Sequence, residues 1–364
     1  MKILYLGYLG VNNIGDEVCY EAFAQACKRW LKEEEFSLFS YPINSEKTLK
    51  EFYADKPFDV VILGGGSLFQ GNFFIDLALE AIEMKLPLYC YGTGIDYMTE
   101  ETIESFKKGQ FQVTSTTFNN KEINREKIKK VIEYSTFAGL RGPLTLKYIQ
   151  SLNPSKASNY QIIGDSGMLF TPQKDDYIER KYLKDFSKKI IAVNWGTIQN
   201  ILFGYDEYKL KSQMIQACTN LLKKGYQIVI FSMWDMDIPF CKDLYDSIKA
   251  QGNVTFIPEV CTASQIYHFL SLCHFSLNLK LHANVLSASS GTPFVQLAYR
   301  SKGVDFAASI HQLPYTVLTN TNTLAETIEK KEFYLTSNKN RKKLRLAKER
   351  IVAKHKNFIL SLKK

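Results

Sequence analysis

Short, wholly apolar runs that end in glycine- or asparagine-bearing turns and lead into helical stretches recur along this chain. A strand that is apolar at every position has no face to offer water. It belongs in a parallel sheet covered by helices on both sides. KILYLGY, FDVVILGG, LPLYCYGTGI and FAGLRG are such runs in the first half. KKIIAVNWG, GYQIVIFSMW, GNVTFIPE, HFSLNLK and PFVQLAY restart the rhythm in the second. Between them the sequence predicts helices over about 17–31, from Pro143, over 207–224, near 239–250 and through ASQIYHFLSLC.

A chain of 364 residues exceeds one ordinary core, and an apolar content of 45% supplies material for two. The polar stretch from Thr171 to Lys188 separates the two rhythms. The expected architecture is α/β, with two Rossmann-like domains in a GT-B-like arrangement around a central interdomain cleft. Their expected bounds are 1–178 and 179–335, followed by a basic amphipathic helix over 336–364. In open α/β sheets, ligands bind beyond the carboxyl ends of the strands. Two facing sheets would bring those ends to one cleft.

The formal charge of +9 is unevenly placed. Asn338 to Lys364 holds 11 Lys or Arg against the single acid Glu349, a local charge of +10 that leaves the remainder at −1. Basicity is therefore a property of the tail, and no nucleic-acid partner is expected. In that tail Leu344, Ala347, Ile351, His355, Phe358 and Leu362 recur every three or four residues. Two readings stay open: the stripe packs on the body with its lysines solvated, or it makes peripheral contact with the inner face of an anionic membrane. The seven cysteines lack metal-ligand or paired spacing and read as buried thiols in a reducing compartment. The opening MKILYLGYLGVNN reads as a strand rather than a signal peptide, so the expected location is the cytoplasm.

The residues fit for chemistry follow strand-like runs. Gly7, Gly10 and Gly15 with Asn12 and Asn13 form a turn before a helix, without the pattern of a P-loop or dinucleotide site. Asp16, at that helix start, reads either as a helix-capping acid or as a cleft carboxylate taking a proton from a sugar hydroxyl. Gly64, Gly65 and Gly66 let a backbone approach a ligand, with Ser67 and Gln70 as hydrogen-bonding groups. Arg141, after an apolar strand, needs an anion, either an internal carboxylate or a ligand's phosphate or carboxylate. Asp165 reads as structural. Lys280 and His282 stand two apart and share a side of an extended segment before a helix of small residues. Arg300 and Lys302 form a second basic group after PFVQLAY. No metal-ligand cluster is legible, and neither metal nor cofactor is expected.

Taken in order, NNIGDE, LGGGSLFQ, LRGPLTLKYI, GDSGML and KLHANVLSASSGTPFVQLAY followed by SKGVDF resemble polysaccharide pyruvyl transferases over roughly residues 1–310. The resemblance implies a GT-B-like enzyme that moves the enolpyruvyl unit of phosphoenolpyruvate onto a sugar. The product would be a pyruvate ketal on a bacterial exopolysaccharide or capsule, or on its lipid-linked precursor. It places the family's acid on Asp16, its arginine on Arg141, and its R-L-H motif on Lys280, Leu281 and His282. A further basic residue falls on Lys302, with Arg300 as the alternative. Two positions depart from the family pattern: Lys280 replaces arginine, a point charge in place of a bidentate fork, and Ser166 replaces proline.

That chemistry suits these residue types. Phosphoenolpyruvate is a trianion, and Arg141, Lys280 and Lys302 would supply positive charge. Protonation of its methylene carbon needs an acid of near-neutral pKa, the role expected of His282, while Asp16 would deprotonate the attacking hydroxyl. Two rival readings are a GT-B glycosyltransferase using a nucleotide-sugar and a non-catalytic polysaccharide-binding protein.

Overall fold

The computed structural model describes residues 1–32, 35–114, 116–118, 123–155, 159–183 and 185–363. Position 184 of the dividing segment and position 364 of the tail lie outside the described residues. The first half runs β1 (Lys2–Leu6), α1 (Ile14–Trp30), β2 (Ser37–Ser40), α2 (Leu49–Asp55), β3 (Val60–Leu63), α3 (Phe73–Glu83), β4 (Leu88–Thr93), α4 (Glu100–Lys107), α5 (Arg125–Tyr134), β5 (Phe137–Leu140), α6 (Pro143–Ser151), β6 (Tyr160–Ile162) and α7 (Tyr177–Tyr182). The second runs β7 (Ile190–Asn194), α8 (Glu207–Lys223), β8 (Gln227–Phe231), α9 (Ile238–Ile248), β9 (Val254–Phe256), α10 (Ala263–Leu272), β10 (Phe275–Asn278), α11 (Leu281–Ser290), β11 (Phe294–Ala298), α12 (Ser301–Ser309), β12 (Thr316–Leu318), α13 (Leu324–Leu335) and α14 (Asn338–Ser361).

The strands form two six-stranded parallel sheets, ordered β2-β1-β3-β4-β5-β6 and β12-β11-β10-β7-β8-β9. Every residue of β3, β4, β7, β8, β10 and β11 is buried. This is the physical basis of their unbroken apolar runs, since each is sandwiched between helices. In both sheets the chain first builds outward on one side and then returns to the other. The order reverses between β1 and β3 in the first sheet and between β7 and β10 in the second. Such reversals splay the following helices to opposite faces and leave a crevice at the strand ends.

The two halves share packing. One apolar cluster runs from Val18 and Ala22 on α1 through Met168 and Leu169 to Val285 and Leu286 on α11 and Ile351 on α14. The basic tail forms α14, and its whole predicted stripe is buried, from Leu344 to Leu362. Helix α14 returns to the first domain, where Phe358 packs 4.7 Å from Tyr91 and 5.5 Å from Phe137 between ring centroids. The apolar face is thus engaged by the protein itself, and the alternative of that face entering a membrane falls away. Among the described residues, no helix is long and apolar enough to cross a membrane. All seven cysteines are free and buried.

Candidate functional site

A cavity of about 760 Å³ lies across both reversal points. From the first domain it is lined by Asn13, Gly15 and Asp16 after β1, and by Gly66, Ser67 and Gln70 after β3. From the second come Thr197 after β7, Lys280, Leu281 and His282 after β10, and Tyr299, Arg300 and Lys302 after β11. Tyr8, Phe73, Tyr97 and Trp234 supply aromatic wall.

The acid is placed by helix capping. Asn13 is the N-cap of α1, and its side-chain oxygen accepts from Gly15 N at 3.1 Å. Its amide nitrogen donates to Asp16 Oδ2 at 2.6 Å. Burial raises the Asp16 carboxyl from 3.8 to about 7; Lys302 opposes the shift, and Asp165 and Glu17 add to it. Asp16 therefore populates both protonation states near neutrality.

His282 sits in the first turn of α11, which starts at Leu281 rather than after His282. Lys280 is the extended N-cap, so the pair reach the cavity from a helix end and not from one continuous strand. The imidazole crosses to the first domain, with Nε2 3.3 Å from Cys19 Sγ and 4.0 Å from Asp165 Oδ2. Gly15 makes this approach feasible, because a Cβ there would lie 2.1 Å from His282 Nδ1. Burial lowers the imidazole to about 4, with Asp165 opposing and Lys302 and Arg141 adding. The near-neutral acid expected at His282 is thus a neutral imidazole in this protein, and Asp16 holds the near-neutral pKa.

The cations are unequally engaged. Lys280 Nζ lies 2.9 Å from Asp237 Oδ1 and donates to Thr197 O at 2.7 Å. Arg300 Nε is 3.2 Å from Asp96 Oδ2, with its guanidinium carbon 4.5 Å above Tyr97 and 5.0 Å above Tyr299. Lys302 has no ion pair among the described residues; its Nζ lies 5.3 Å from the Tyr299 ring. Burial would raise the Tyr299 phenol, but Lys302, Arg300 and Lys280 outweigh it and bring it to about 8. Asp96 reaches across the seam to accept from Lys302 N and Ser301 Oγ, each at 3.1 Å, covering the start of α12. The start of α11 has no side-chain cap. It presents a helix N-terminus to the cavity.

Two expected ligand contacts are corrected. Arg141 is fully buried and does not line the cavity. It lies 3.3 Å from Asp305 Oδ2 and donates to Gly66 O, Ser67 Oγ and Ile95 O at 3.2, 3.0 and 2.8 Å. Its anion is therefore an internal carboxylate, and its fork holds the glycine loop from behind. Gly65 also lies behind the wall, with its N–H donating to Tyr5 Oη at 2.8 Å. Gly66 does line the cavity, and its φ of +102° is strained for a side chain. Tyr299, Cys19, Asp96 and Asp237 went unmarked in the sequence, where each sits inside an ordinary strand, helix or loop segment.

Two facing Rossmann-like sheets with a cavity on both reversal points define a GT-B-type fold, and solved structures share it. The S. aureus MnaA co-structure with UDP is 12% identical, with a TM-score of 0.62, over 96% of this chain and 94% of that one. UDP-GlcNAc 2-epimerase from Neisseria meningitidis, bound to UDP-GlcNAc, is 16% identical, with a TM-score of 0.61, over 97% and 99%. A UDP-glucose:anthocyanidin 3-O-glucosyltransferase in complex with UDP is 11% identical, with a TM-score of 0.53, over 96% and 94%. At such identities the likeness concerns the fold alone. No curated protein matches the chain. The family is given by the sequence: the polysaccharide pyruvyl transferase model matches residues 13–301, and the chain belongs to that family of transferases.

Proposed function

We propose that this protein transfers the enolpyruvyl unit of phosphoenolpyruvate to a sugar of a cell-surface polysaccharide or its lipid-linked precursor, forming a pyruvate ketal and releasing phosphate. The observation that carries the reading is the convergence in one cavity of a lysine with no ion pair among the described residues, a start of α11 without a side-chain cap and a carboxyl of pKa about 7. Lys302 and the α11 N–H groups receive the phosphate and carboxylate. Protonated Asp16 delivers its proton to the methylene carbon. Neutral His282 takes the proton of the attacking hydroxyl as oxygen bonds to the central carbon. The carbon–oxygen bond to phosphate then breaks, and a second hydroxyl closes the ketal. Of the two hydroxyl protons, one ends on the new methyl and one on phosphate. The aromatic wall of Tyr8, Phe73, Tyr97 and Trp234 suits the apolar face of the acceptor sugar.

The test is phosphate release from phosphoenolpyruvate against a panel of free and lipid-linked galactosides, glucosides and mannosaminides. Thermal stabilisation by phosphoenolpyruvate and by UDP-sugars is measured in parallel. Phosphoenolpyruvate is expected to stabilise the protein, and one acceptor class to trigger phosphate release. Stabilisation by UDP-sugars alone would transfer the chain to the nucleotide-sugar reading.

A further inference from the structure

Behind the cavity wall, three side chains from distant parts of the chain bring three different donor types together. Cys19 of α1, Asp165 after β6 and His282 of α11 place a sulfur, a carboxylate oxygen and an imidazole nitrogen within 4.8 Å of one another. The contacts are 3.3 Å from sulfur to nitrogen, 3.8 Å from sulfur to Asp165 Oδ1, and 4.0 Å from nitrogen to Asp165 Oδ2. Asp165 is fully buried and its Oδ2 has no hydrogen-bond partner among the described residues. An orphaned carboxylate oxygen in a dry interior is costly unless something positive meets it. No lysine or arginine ion pair to Asp165 occurs among the described residues, and the oxygen instead faces an imidazole nitrogen.

We propose that Cys19, Asp165 and His282 form a binding site for a thiophilic divalent cation of the Zn²⁺ class. Tetrahedral zinc, with bonds of roughly 2.0 Å to nitrogen and oxygen and roughly 2.3 Å to sulfur, holds its ligand atoms about 3.3 to 3.6 Å apart. With one Asp165 oxygen as the ligand all three atoms lie within 4.8 Å of one another, so closing the trio to that geometry takes movements of up to about 1.5 Å. Mixed sulfur, nitrogen and oxygen donors select zinc or cobalt over magnesium and calcium, which require oxygen shells. The charges balance as well. A thiolate and a carboxylate neutralise a dication, so the filled site buries no net charge, and the thiol proton leaves to solvent on binding. His282 lines the cavity, which gives a fourth, non-protein ligand access from that side. Occupancy ties His282 Nε2 to the cation and fixes the ring that the transfer reaction proposed above uses as its base, so the cation acts as an inhibitor. The inhibition rests on that proposed reaction; the binding does not.

The experiment titrates the full-length, chelator-treated protein with Co²⁺ and follows the thiolate-to-cobalt charge-transfer band. A Zn²⁺ competition titration against a chromophoric chelator runs beside it. Expected are one equivalent of cobalt with the band, its displacement by Zn²⁺, and no competition from Mg²⁺. Cys19→Ala abolishes the band. Asp165→Asn weakens Zn²⁺ binding by more than about 100-fold, since even outer partners of metal sites are worth 10–100-fold. Circular dichroism and thermal unfolding of each variant check the fold, and Cys19→Ser serves if the alanine variant is unstable. Absence of the band, or its persistence in a folded Cys19 variant, overturns the site. Binding without inhibition of phosphate release leaves the site standing and removes only its link to the reaction.

Discussion

Asp16→Asn tests the electrostatics of the cleft in the absence of any substrate. An acid whose carboxyl is raised on folding holds its proton longer in the native state than in the unfolded one. Its contribution to stability is least unfavourable below 3.8 and worsens as the pH climbs through 7. The displacement from 3.8 to about 7 corresponds to about 4 kcal/mol against the ionised native state. Asp16 lines an open cavity, and solvent screening reduces this to about 2–3 kcal/mol. Asparagine keeps the shape without the charge but weakens the hydrogen bond from Asn13, at a cost of about 1 kcal/mol. The variant should therefore match or fall slightly below the parent near pH 4 and exceed it by about 1–2 kcal/mol at pH 8.5. Urea unfolding across that range reads the difference, and phosphate release in the same preparation should fall by about 10²–10⁴-fold. A stability gap that stays flat with pH would refute the claim that burial governs this carboxyl.

The remaining predictions address its neighbours. Gly15→Ala drives a methyl against the His282 ring, so kcat should drop at least about 10-fold with a modest loss of melting temperature. Arg141→Met strands Asp305 as a buried unpaired carboxylate and should cost about 3–5 kcal/mol in urea unfolding. A variant that unfolds like the parent but binds phosphoenolpyruvate weakly would return Arg141 to the ligand. One tyrosine should ionise near pH 8 in ultraviolet difference spectra. That transition should vanish in Tyr299→Phe and move upward in Lys302→Met. Lys302→Met should weaken phosphoenolpyruvate binding by about 10–100-fold with little change in melting temperature, the range of a charge-assisted hydrogen bond. Lys280→Met should chiefly destabilise the protein, by leaving Asp237 unpaired; the reverse pattern would show the two lysines misassigned.

The alternation of strand and helix was legible because parallel strands buried on both faces leave continuous apolar runs, as in VVIL and IIAVN. Helix α8 was bounded to within a residue, since its polar flanks are sharp. The location of the cavity follows from the same rule, as Asp16, Ser67, His282 and Lys302 all line it just after strands. What could not be read was which partner each charge would meet. Arg141 after a strand looks the same whether its anion is a ligand or Asp305, 164 positions later. Cys19, Asp165 and His282 lie 146 and 263 positions apart in their contacts, and no local spacing announces them. The pKa of His282 was misjudged for a related reason. A lone histidine beside a lysine suggests a solvated acid, whereas Gly15 lets it sink against α1, where burial dominates.

The same accounting of partners explains how lysine can stand where the family usually carries arginine. Lys280 lines the cavity but is already engaged within the protein. Its ammonium bridges Asp237 and the carbonyl of Thr197, tying the loop after β7 to the start of α11. A compact donor with three hydrogens suffices for that, and the planar fork of arginine offers no added match. Arg300 is likewise balanced by Asp96, and Arg141 by Asp305. Each of these pairs makes the cleft rigid without leaving net charge. The attraction for an anion is then concentrated on Lys302 and the open end of α11, which carries His282, and both face Asp16 across the seam. Binding a trianion there would raise the proton affinity of both Asp16 and His282. Donor binding would thereby favour the protonated acid needed for the first proton transfer and the imidazolium formed when the hydroxyl gives up its proton.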